Sequence, residues 1–353
     1  MKRQSIFLMI LCAWVCVGGP RAAEPDSRNA VRLQEVLKRF AKADTDNGGV
    51  LTLSAAKGSG KERAAERTRP TFADVKYGPY ERNVLDFYQA KSSKPTPLVV
   101  YIHGGGFKGG DKRSISQDVV KKCLESGVSV AAIHYRFLKD AILPEILRDS
   151  ARAIQFLRYK AREWNVDKRR VAAYGGSAGA GTSLWLGFHD ELADPDNDDP
   201  ILRESSRLTA VGAFACQFTY DFRQWPEVIG ENPAGSIDEK EKDDLYRRFY
   251  GFGASADMNS PKVKKVLADV DMRGLLTEDD SPVFLYCGGK NVEPTDWGHY
   301  VHHPRHAIAI KRKCDQVGVS CQMKLKSEKP SLSRKIAHEL MLKFFFKHFE
   351  ITD

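Results

Sequence analysis

The sequence predicts an α/β fold in which helices cover both faces of a mostly parallel central sheet. From about residue 74 onwards, short β-rich segments alternate with amphipathic helices, which is typical of such a sheet. Two glycine-rich turns, HGGGF at residues 103–107 and GGSAG at residues 175–179, each follow a predicted strand directly. The charged and aromatic residues 221–280 are predicted to form a cap-like insertion over the functional site.

The individual elements follow from apolar runs and helical spacing of apolar residues. Residues 97–103 (PLVVYIH), for example, form a continuous apolar run that predicts a buried strand. The predicted strands are residues 83–89, 97–103, 128–137, 170–176, 209–218, 282–288 and 320–326, and the predicted helices are residues 111–127, 144–164, 178–189 and 332–349.

The first 23 residues are predicted to be a secretory signal peptide. Lys2 and Arg3 precede an apolar run at residues 5–19, which is too short for a comfortable transmembrane helix, and small residues follow at Ala22 and Ala23. An uncleaved anchor is the alternative, because Arg21 stands where a small residue is preferred. No second run of eighteen apolar residues follows, so the sequence predicts no membrane span after the signal.

Residues 24–70 are predicted as a helical N-terminal segment with a linker, and residues 71–353 as the main domain. Helical spacing at residues 29–43 leads into a loop at Asp44 that resembles an EF-hand calcium loop. Gly48 and Ala55 replace two of the expected ligands, so a degenerate hand or a simple turn is the alternative to calcium binding.

Charge and cysteine content exclude some classes of function. The net charge is +9, or +6 without the three basic residues of the leader, and basic residues are interleaved with acidic ones. That pattern argues against nucleic-acid binding. Of seven cysteines, five follow the leader and none forms a CxxC pair, so a zinc–thiolate site is not expected. Cys314 and Cys321 are spaced so that they could bridge a helix end to the next strand, but spacing alone does not establish a disulfide.

Ser177 is the candidate nucleophile. A serine hydroxyl needs exposure, alignment and a neighbouring base, and the G-x-S-x-G turn between a strand and a helix provides the exposure. A structural turn whose serine merely caps the helix is the alternative.

The glycine loop after residues 97–103 is the candidate oxyanion hole. Negative charge that develops on a carbonyl oxygen needs preorganised N–H donors, and glycines let the backbone come close to that oxygen. We expect the donors to come from Gly104, Gly105, Gly106 and Ala178. The lysine and Ser/Thr ending of a phosphate-binding P-loop is absent.

From about residue 74 to the C-terminus, the chain resembles the α/β-hydrolase superfamily, on the side of the hormone-sensitive-lipase-like and feruloyl-esterase-like carboxylesterases. The motifs that carry the resemblance are HGGGFKGGDK at 103–112, YR at 135–136, DSARA at 149–153, WNVD at 164–167 and GGSAGAG at 175–181. The resemblance implies an α/β-hydrolase fold, Ser177 as nucleophile, and no metal or organic cofactor. It also implies hydrolysis of short-chain or aromatic acyl esters, or deacetylation of carbohydrates, with a small-molecule or carbohydrate-linked ester as substrate.

The other two members of a catalytic triad depart from the superfamily pattern. The usual position of the acid, after residues 282–288, holds Asn291, and Glu293 or Asp296 could replace it. The loop after the last predicted strand, where the superfamily has its histidine, contains none, and His338 lies beyond it in the last predicted helix.

Four histidines cluster elsewhere, at His299, His302, His303 and His306. We expect His303 to be the base and Glu293 to be the acid; a metal site formed by these histidines with Glu293 or Asp296 is the alternative. His103 and His134 are expected to have structural roles.

Two classes of function remain open from the sequence. The first is a secreted serine hydrolase that cleaves carboxylic esters through an acyl-enzyme on Ser177. The second is a non-catalytic binding protein of the same fold with a decayed triad, which the absence of a histidine from its usual loop favours. The retained glycine turns favour the enzyme. A calcium-dependent surface module would rest on the Asp44 loop alone. The sequence leaves the oligomeric state open.

Overall fold

The computed structural model describes residues 67–232, 239–327 and 332–351. The predicted signal peptide, the helix at residues 29–43 and the Asp44 loop lie outside the described residues. None of the helices described in these ranges is long and apolar enough to cross a membrane.

Eight strands form one sheet in the described chain. In chain order they are β1 (Phe72–Lys76), β2 (Val84–Tyr88), β3 (Thr96–Ile102), β4 (Ser129–Ile133), β5 (Val166–Gly176), β6 (Ala210–Phe214), β7 (Val283–Cys287) and β8 (Cys321–Leu325). Their order across the sheet is β1-β2-β4-β3-β5-β6-β7-β8. β2 runs antiparallel to β1 and β4, and every other neighbouring pair is parallel. The sequence prediction of a mostly parallel sheet is therefore confirmed.

Ten α-helices are described. They are α1 (Gln117–Glu125), α2 (Leu143–Tyr159), α3 (Ala178–Phe188), α4 (Trp225–Ile229), α5 (Glu239–Tyr250), α6 (Pro261–Asp269), α7 (Met272–Leu275), α8 (Trp297–Val301), α9 (Pro304–Val317) and α10 (Arg334–His348). Short 3-10 turns occupy Lys112–Ser114 and Phe222–Gln224.

The sheet divides the core into two apolar layers. On one face, α1 and α10 cover side chains of the central strands, with Val120 and Phe345 fully buried. On the other face, α2, α3 and α9 pack together with aromatic residues of the 221–280 insertion. Residues of the central strands such as β4 are buried on both faces, which explains why these strands are apolar runs rather than alternating patterns.

The parallel register brings the carboxyl ends of β3, β5, β6, β7 and β8 to one edge. Ile102 is level with Gly175, Gly176 with Phe214, and Phe214 with Tyr286. The segments that follow these strands therefore lie side by side, as expected for a ligand-binding edge of an α/β sheet.

Two elements differ from the sequence prediction, for physical reasons. β1 was not predicted, because it is an edge strand whose residues are mostly exposed and show no apolar alternation. The helix predicted at 111–127 is a 3-10 turn followed by α1. Lys112 in that turn is 4% exposed and pairs at 2.8 Å with both Asp74 and Asp86, which ties the turn to β1 and β2.

The five described cysteines are free thiols, and all except Cys321 are buried. The thiols of Cys314 and Cys321 are hydrogen-bonded neighbours, and this contact, together with burial, raises the pKa of Cys321. The two residues do join α9 to β8, as their spacing indicated, but as thiols rather than as a disulfide.

Replacing Phe345 tests the packing of α10 on the sheet. It is 0% exposed, whereas Phe346 next to it is half-buried. We expect Phe345→Ala to lower the free energy of unfolding by about 3–5 kcal/mol, because it leaves a cavity in the core. Phe346→Ala is the matched control, with an expected loss of about 1 kcal/mol. Urea unfolding followed by circular dichroism measures both; equal losses would contradict this packing of α10.

Candidate active site

Ser177 occupies the sharp turn between β5 and α3. Its backbone has φ 54° and ψ −120°, a region that residues other than glycine rarely adopt. Its N–H donates a hydrogen bond of 2.9 Å to the carbonyl of Phe214, and its own carbonyl accepts from the N–H groups of Ala180 and Gly181. Strain of this kind persists only where the surrounding structure enforces it, and it is common at functional sites.

The glycines on either side of Ser177 are required by the end of β3. A Cβ on Gly175 would lie 2.4 Å from the carbonyl oxygen of Ile102, and a Cβ on Gly179 would lie 2.1 Å from the same oxygen. Both distances are shorter than real Cβ contacts, so the turn can pack against β3 only with glycine at these positions. The G-x-S-x-G spacing therefore has a steric cause here.

His302 is the histidine that contacts Ser177. Its Nε2 lies 2.8 Å from the Ser177 Oγ, and its Nδ1 lies 3.0 Å from the carbonyl oxygen of Gly298. A carbonyl can only accept, so Nδ1 carries the proton of the neutral ring and Nε2 presents its lone pair to the hydroxyl. This is the geometry of a hydroxyl next to a general base.

His303, the histidine expected from the sequence, does not face Ser177. It is the N-cap of α9: its Nδ1 accepts from the N–H of Arg305 at 3.1 Å, and its Nε2 donates to the carbonyl of Val292 at 2.7 Å. Both ring nitrogens are thus used, the residue is 1% exposed, and burial lowers its pKa. Proline at the first position of α9 was the available signal, because the residue before such a proline is the N-cap. The expectation that His303 meets the serine is corrected to His302.

Glu293, the expected acid, also lies outside the serine–histidine pair. Its Oε1 pairs with Arg305 at 2.6 Å, its side chain is 76% exposed, and this hydrogen bond lowers its pKa. Asp296, the other candidate, caps α8 by accepting from the N–H of His299 at 2.9 Å. Within the described ranges, no carboxylate is hydrogen-bonded to His302; the carbonyl of Gly298 takes that place.

The remaining histidines have partners of their own. His299 Nε2 donates to the carbonyl of Lys290 at 2.8 Å. His306 is fully buried between Phe218 and Tyr300, and burial lowers its pKa to about 3. His338 packs on an aromatic ring of β6. The described part of the chain holds no group of three or more His, Cys, Asp or Glu side chains that could bind a metal ion.

The glycine loop after β3 lies directly against the serine turn. A Cβ on Gly104 would lie 2.5 Å from the carbonyl oxygen of Gly176 and 3.6 Å from Ser177 Cβ. Gly105 and Gly106 have φ of +119° and +59°, in the region that favours glycine. A Cβ on Gly106 would meet nothing within 4 Å, so the backbone is open to a ligand there.

A polar network holds this loop from behind. The Tyr135 hydroxyl donates to the carbonyl of His103 at 2.6 Å, and His103 Nδ1 donates to the carbonyl of Gly104 at 2.8 Å. Arg82 donates to the carbonyl of Tyr135 at 2.8 Å and to His134 Nδ1 at 2.9 Å. Burial lowers the pKa of His103 to about 4 and that of His134 to about 3, so both rings are neutral at pH 7.

The insertion supports the site from one side rather than lining the cavity beside Ser177. Phe107, which ends the glycine loop, is buried with its ring centroid 5.4 Å from that of Tyr220 and 6.3 Å from that of Phe249. The Tyr220 hydroxyl also donates to the carbonyl of Ala178 at 3.2 Å. No described residue of α4 to α7 lines the cavity.

The cavity beside Ser177 has a volume of about 840 Å³. It is lined by Tyr101, Phe214 and Tyr286 from β3, β6 and β7, and also by Ser177 and His302. Its charged side chains are Lys326 and Arg334, and no Asp or Glu is among its described lining residues. The described lining therefore offers an apolar surface, a serine hydroxyl in contact with an imidazole, and net positive charge.

Several known proteins are similar to part of this chain. Residues 85–238 match the family model BD-FAE. A probable carboxylic ester hydrolase, LipM of Mycobacterium tuberculosis, is 31% identical over 162 residues, which are 44% of this chain and 36% of that protein. A probable isoprenylcysteine alpha-carbonyl methylesterase of Arabidopsis thaliana, ICMEL1, is 28% identical over 38% of this chain and 29% of its own length. The match thus spans about a third of each relative.

Among solved structures, the chain is similar to an acetyl ester-xyloside bifunctional hydrolase from Caldicellulosiruptor lactoaceticus. The TM-score is 0.60 at 18% identity, and the match covers 81% of this chain and 99% of the other. This likeness shows that the chain has the α/β-hydrolase fold. Over residues 85–238, the chain is similar to the BD-FAE family.

Proposed function

We propose that the chain is a serine hydrolase that cleaves carboxylic esters through an acyl-enzyme on Ser177, with His302 as general base. The observation that carries the proposal is the 2.8 Å contact between Ser177 Oγ and His302 Nε2. It also favours an enzyme over a binding protein with a decayed triad, because it supplies the base that the usual loop lacks.

In the proposed reaction, His302 Nε2 takes the proton of the Ser177 hydroxyl as Oγ attacks the ester carbonyl. The N–H groups of Gly104, Gly105, Gly106 and Ala178 are the candidate donors to the oxyanion that forms. The imidazolium then returns the proton to the leaving alcohol, and the acyl group stays on Ser177. Water attacks this ester in a second step, again with His302 as base, and releases the acid.

The carbonyl of Gly298 performs the orienting role of a triad acid. It fixes the tautomer of His302 by accepting from Nδ1, but it carries no full charge. It therefore stabilises the imidazolium less than a carboxylate does. The proposed substrates are small-molecule or carbohydrate-linked esters, a class that includes the acetyl ester named for the hydrolase of similar fold.

The proposed place of action is outside the cytoplasm, with residues 1–23 as a cleaved signal, residues 24–70 as a helical segment and linker, and residues 71–353 as the hydrolase domain. The support is the positive start, the short apolar run and the small residues before Glu24.

Ser177→Ala tests the nucleophile. We expect kcat/KM for 4-nitrophenyl acetate to fall by at least about 10⁴-fold, because no other hydroxyl replaces the attacking oxygen. A fluorophosphonate probe followed by peptide mass spectrometry should label the wild type at Ser177. Labelling at another residue, or an active Ser177→Ala variant, would contradict the proposal.

His302→Asn and His303→Asn form a matched pair that tests the base. His302→Asn should lower kcat by about 10²- to 10⁴-fold, which is the usual contribution of general base catalysis. His303→Asn keeps an N-cap side chain for α9 and should leave kcat/KM nearly unchanged. Glu293→Gln should also retain activity, because its partner is Arg305. The reverse pattern, with loss only in the His303 variant, would restore the original expectation.

Export is tested on the full chain expressed in a Gram-negative host. We expect the processed protein in the periplasm or the medium, with an N-terminus at Glu24 by intact-mass measurement. Full-length protein held in the membrane fraction would instead support an uncleaved anchor.

A further inference from the structure

Arg334 is a cation next to the nucleophile that has no charged partner among the described residues. Its guanidinium approaches the serine turn closely enough that Nη2 would lie 3.0 Å from a Cβ added to Gly176. Its Cζ is 5.9 Å from the ring centroid of Phe214, which lines the same cavity. Other arginines near this edge have carboxylate partners, such as Arg305 with Glu293 and Arg113 with Asp111. No hydrogen bond or ion pair is recorded for the Arg334 side chain within the described ranges.

Lys326 adds a second positive charge to the same cavity. It follows β8 directly and is exposed, and it too has no recorded side-chain partner in the described chain. Among the described lining residues there is no Asp or Glu, so the described lining carries net positive charge. Arg334 also begins α10, whose N-terminus contributes further positive potential.

The hydroxyl of Tyr174 is buried near Arg334 and has no hydrogen-bond partner among the described residues. A smaller cavity of about 440 Å³ lies there, lined by Tyr101, Tyr174, His338 and Arg334 among others. Tyr174 is 2% exposed, and its hydroxyl has no hydrogen-bond partner. Burial keeps this phenol protonated by raising its pKa, so it is a donor without an acceptor. A buried donor of this kind is unfavourable unless a ligand or solvent accepts from it.

The Arg334 guanidinium and the Tyr174 hydroxyl both donate hydrogen bonds, so both favour an anionic acceptor. Arg334 lines both cavities and Tyr174 lines the smaller one, so together they offer several N–H and O–H donors to an acceptor. A guanidinium also matches the two oxygens of a carboxylate. His338 does not add charge there, because burial lowers its pKa to about 4. The cavity continues from Arg334 to Ser177, so one molecule could place an anion at the first and an ester at the second.

We propose that the natural ester carries a carboxylate, which Arg334 binds where the Ser177 cavity adjoins the smaller one, with the Tyr174 hydroxyl of the smaller cavity as a second donor and Lys326 as a supporting charge. This inference rests on the proposed ester hydrolysis. It makes Arg334 and Tyr174 determinants of substrate specificity rather than catalytic residues.

The test compares charged substrates with neutral ones of the same shape. For an acyl-side carboxylate, the pair is 4-nitrophenyl succinate and 4-nitrophenyl succinamate. For an alcohol-side carboxylate, the pair is 4-acetoxybenzoate and 4-acetoxybenzamide. We expect the wild type to favour the carboxylate by about tenfold in kcat/KM in at least one pair. A ratio near one in both pairs would overturn the inference.

Arg334→Gln should abolish that preference by lowering kcat/KM for the anionic substrate about tenfold more than kcat/KM for the neutral substrate. Arg334→Lys should retain part of the preference for the carboxylate substrate. Tyr174→Phe should reduce this preference without loss of fold. Lys335→Gln is the matched control, because Lys335 is the next residue but pairs with Asp118 and lines neither of these two cavities. An unchanged ratio in Arg334→Gln would overturn the inference.

Binding measurements separate this inference from the proposed function. Calorimetry with two carboxylates, 4-hydroxybenzoate and succinamate, and with their neutral counterparts, 4-hydroxybenzamide and succinamide, uses intact protein and needs no turnover. Carboxylate binding that is lost in Arg334→Gln supports the anion site even if no ester is cleaved, in which case only the proposed hydrolysis fails. Hydrolysis of neutral esters with no carboxylate selectivity in rate or binding leaves the proposed function standing and removes the inference.

Discussion

The site depends on one steric constraint, the contact between the end of β3 and the turn that leaves β5. Backbone atoms approach so closely there that Gly104, Gly175 and Gly179 cannot carry a Cβ without a clash. This contact fixes Ser177 in a strained conformation, and it sets the glycine loop beside the same hydroxyl. The network around Arg82 and the aromatic residues of the insertion hold both segments in place. The polar edge of the sheet is thus preorganised by packing rather than by flexible side chains.

The imidazole that contacts Ser177 comes from the segment between β7 and β8. His302 follows the short helix α8, which lies between β7 and β8, and the carbonyl of Gly298 within α8 accepts from both its backbone N–H and its Nδ1. Carbonyl groups at the end of a helix carry partial negative charge, which favours a cation on the ring they face. In the proposed reaction, this dipole orients the imidazole as a carboxylate does in a Ser-His-Asp triad. The neighbouring His303 and Glu293 are used in capping α9 and in pairing with Arg305, and so they organise the loop that carries His302.

Charge is distributed unevenly around the site. The described acidic side chains near it are engaged: Glu293 with Arg305, Asp111 with Arg113, and Asp296 at the start of α8. Arg334 and Lys326 have no carboxylate partner among the described residues that line the cavity, so this described lining carries net positive charge. Phe249 of the insertion, and Tyr220 just before it, pack against the buried Phe107, and no described residue of the insertion lines the cavity. In the proposed function, substrate selection therefore falls to residues at the carboxyl edge of the sheet.

The sequence by itself determined the sheet class, most strand positions, Ser177 and the glycine loop, because each of these is encoded locally by an apolar run or by glycines at fixed spacing. It did not determine the edge strand β1, which has no apolar signal, or which of the adjacent residues His302 and His303 meets the serine. That choice depends on where α8 ends and α9 begins, since one residue along the backbone redirects a side chain completely. The place of Arg334 beside Ser177, 157 residues away in sequence, was likewise decided only by the tertiary structure, because parallel strands bring distant segments to one edge.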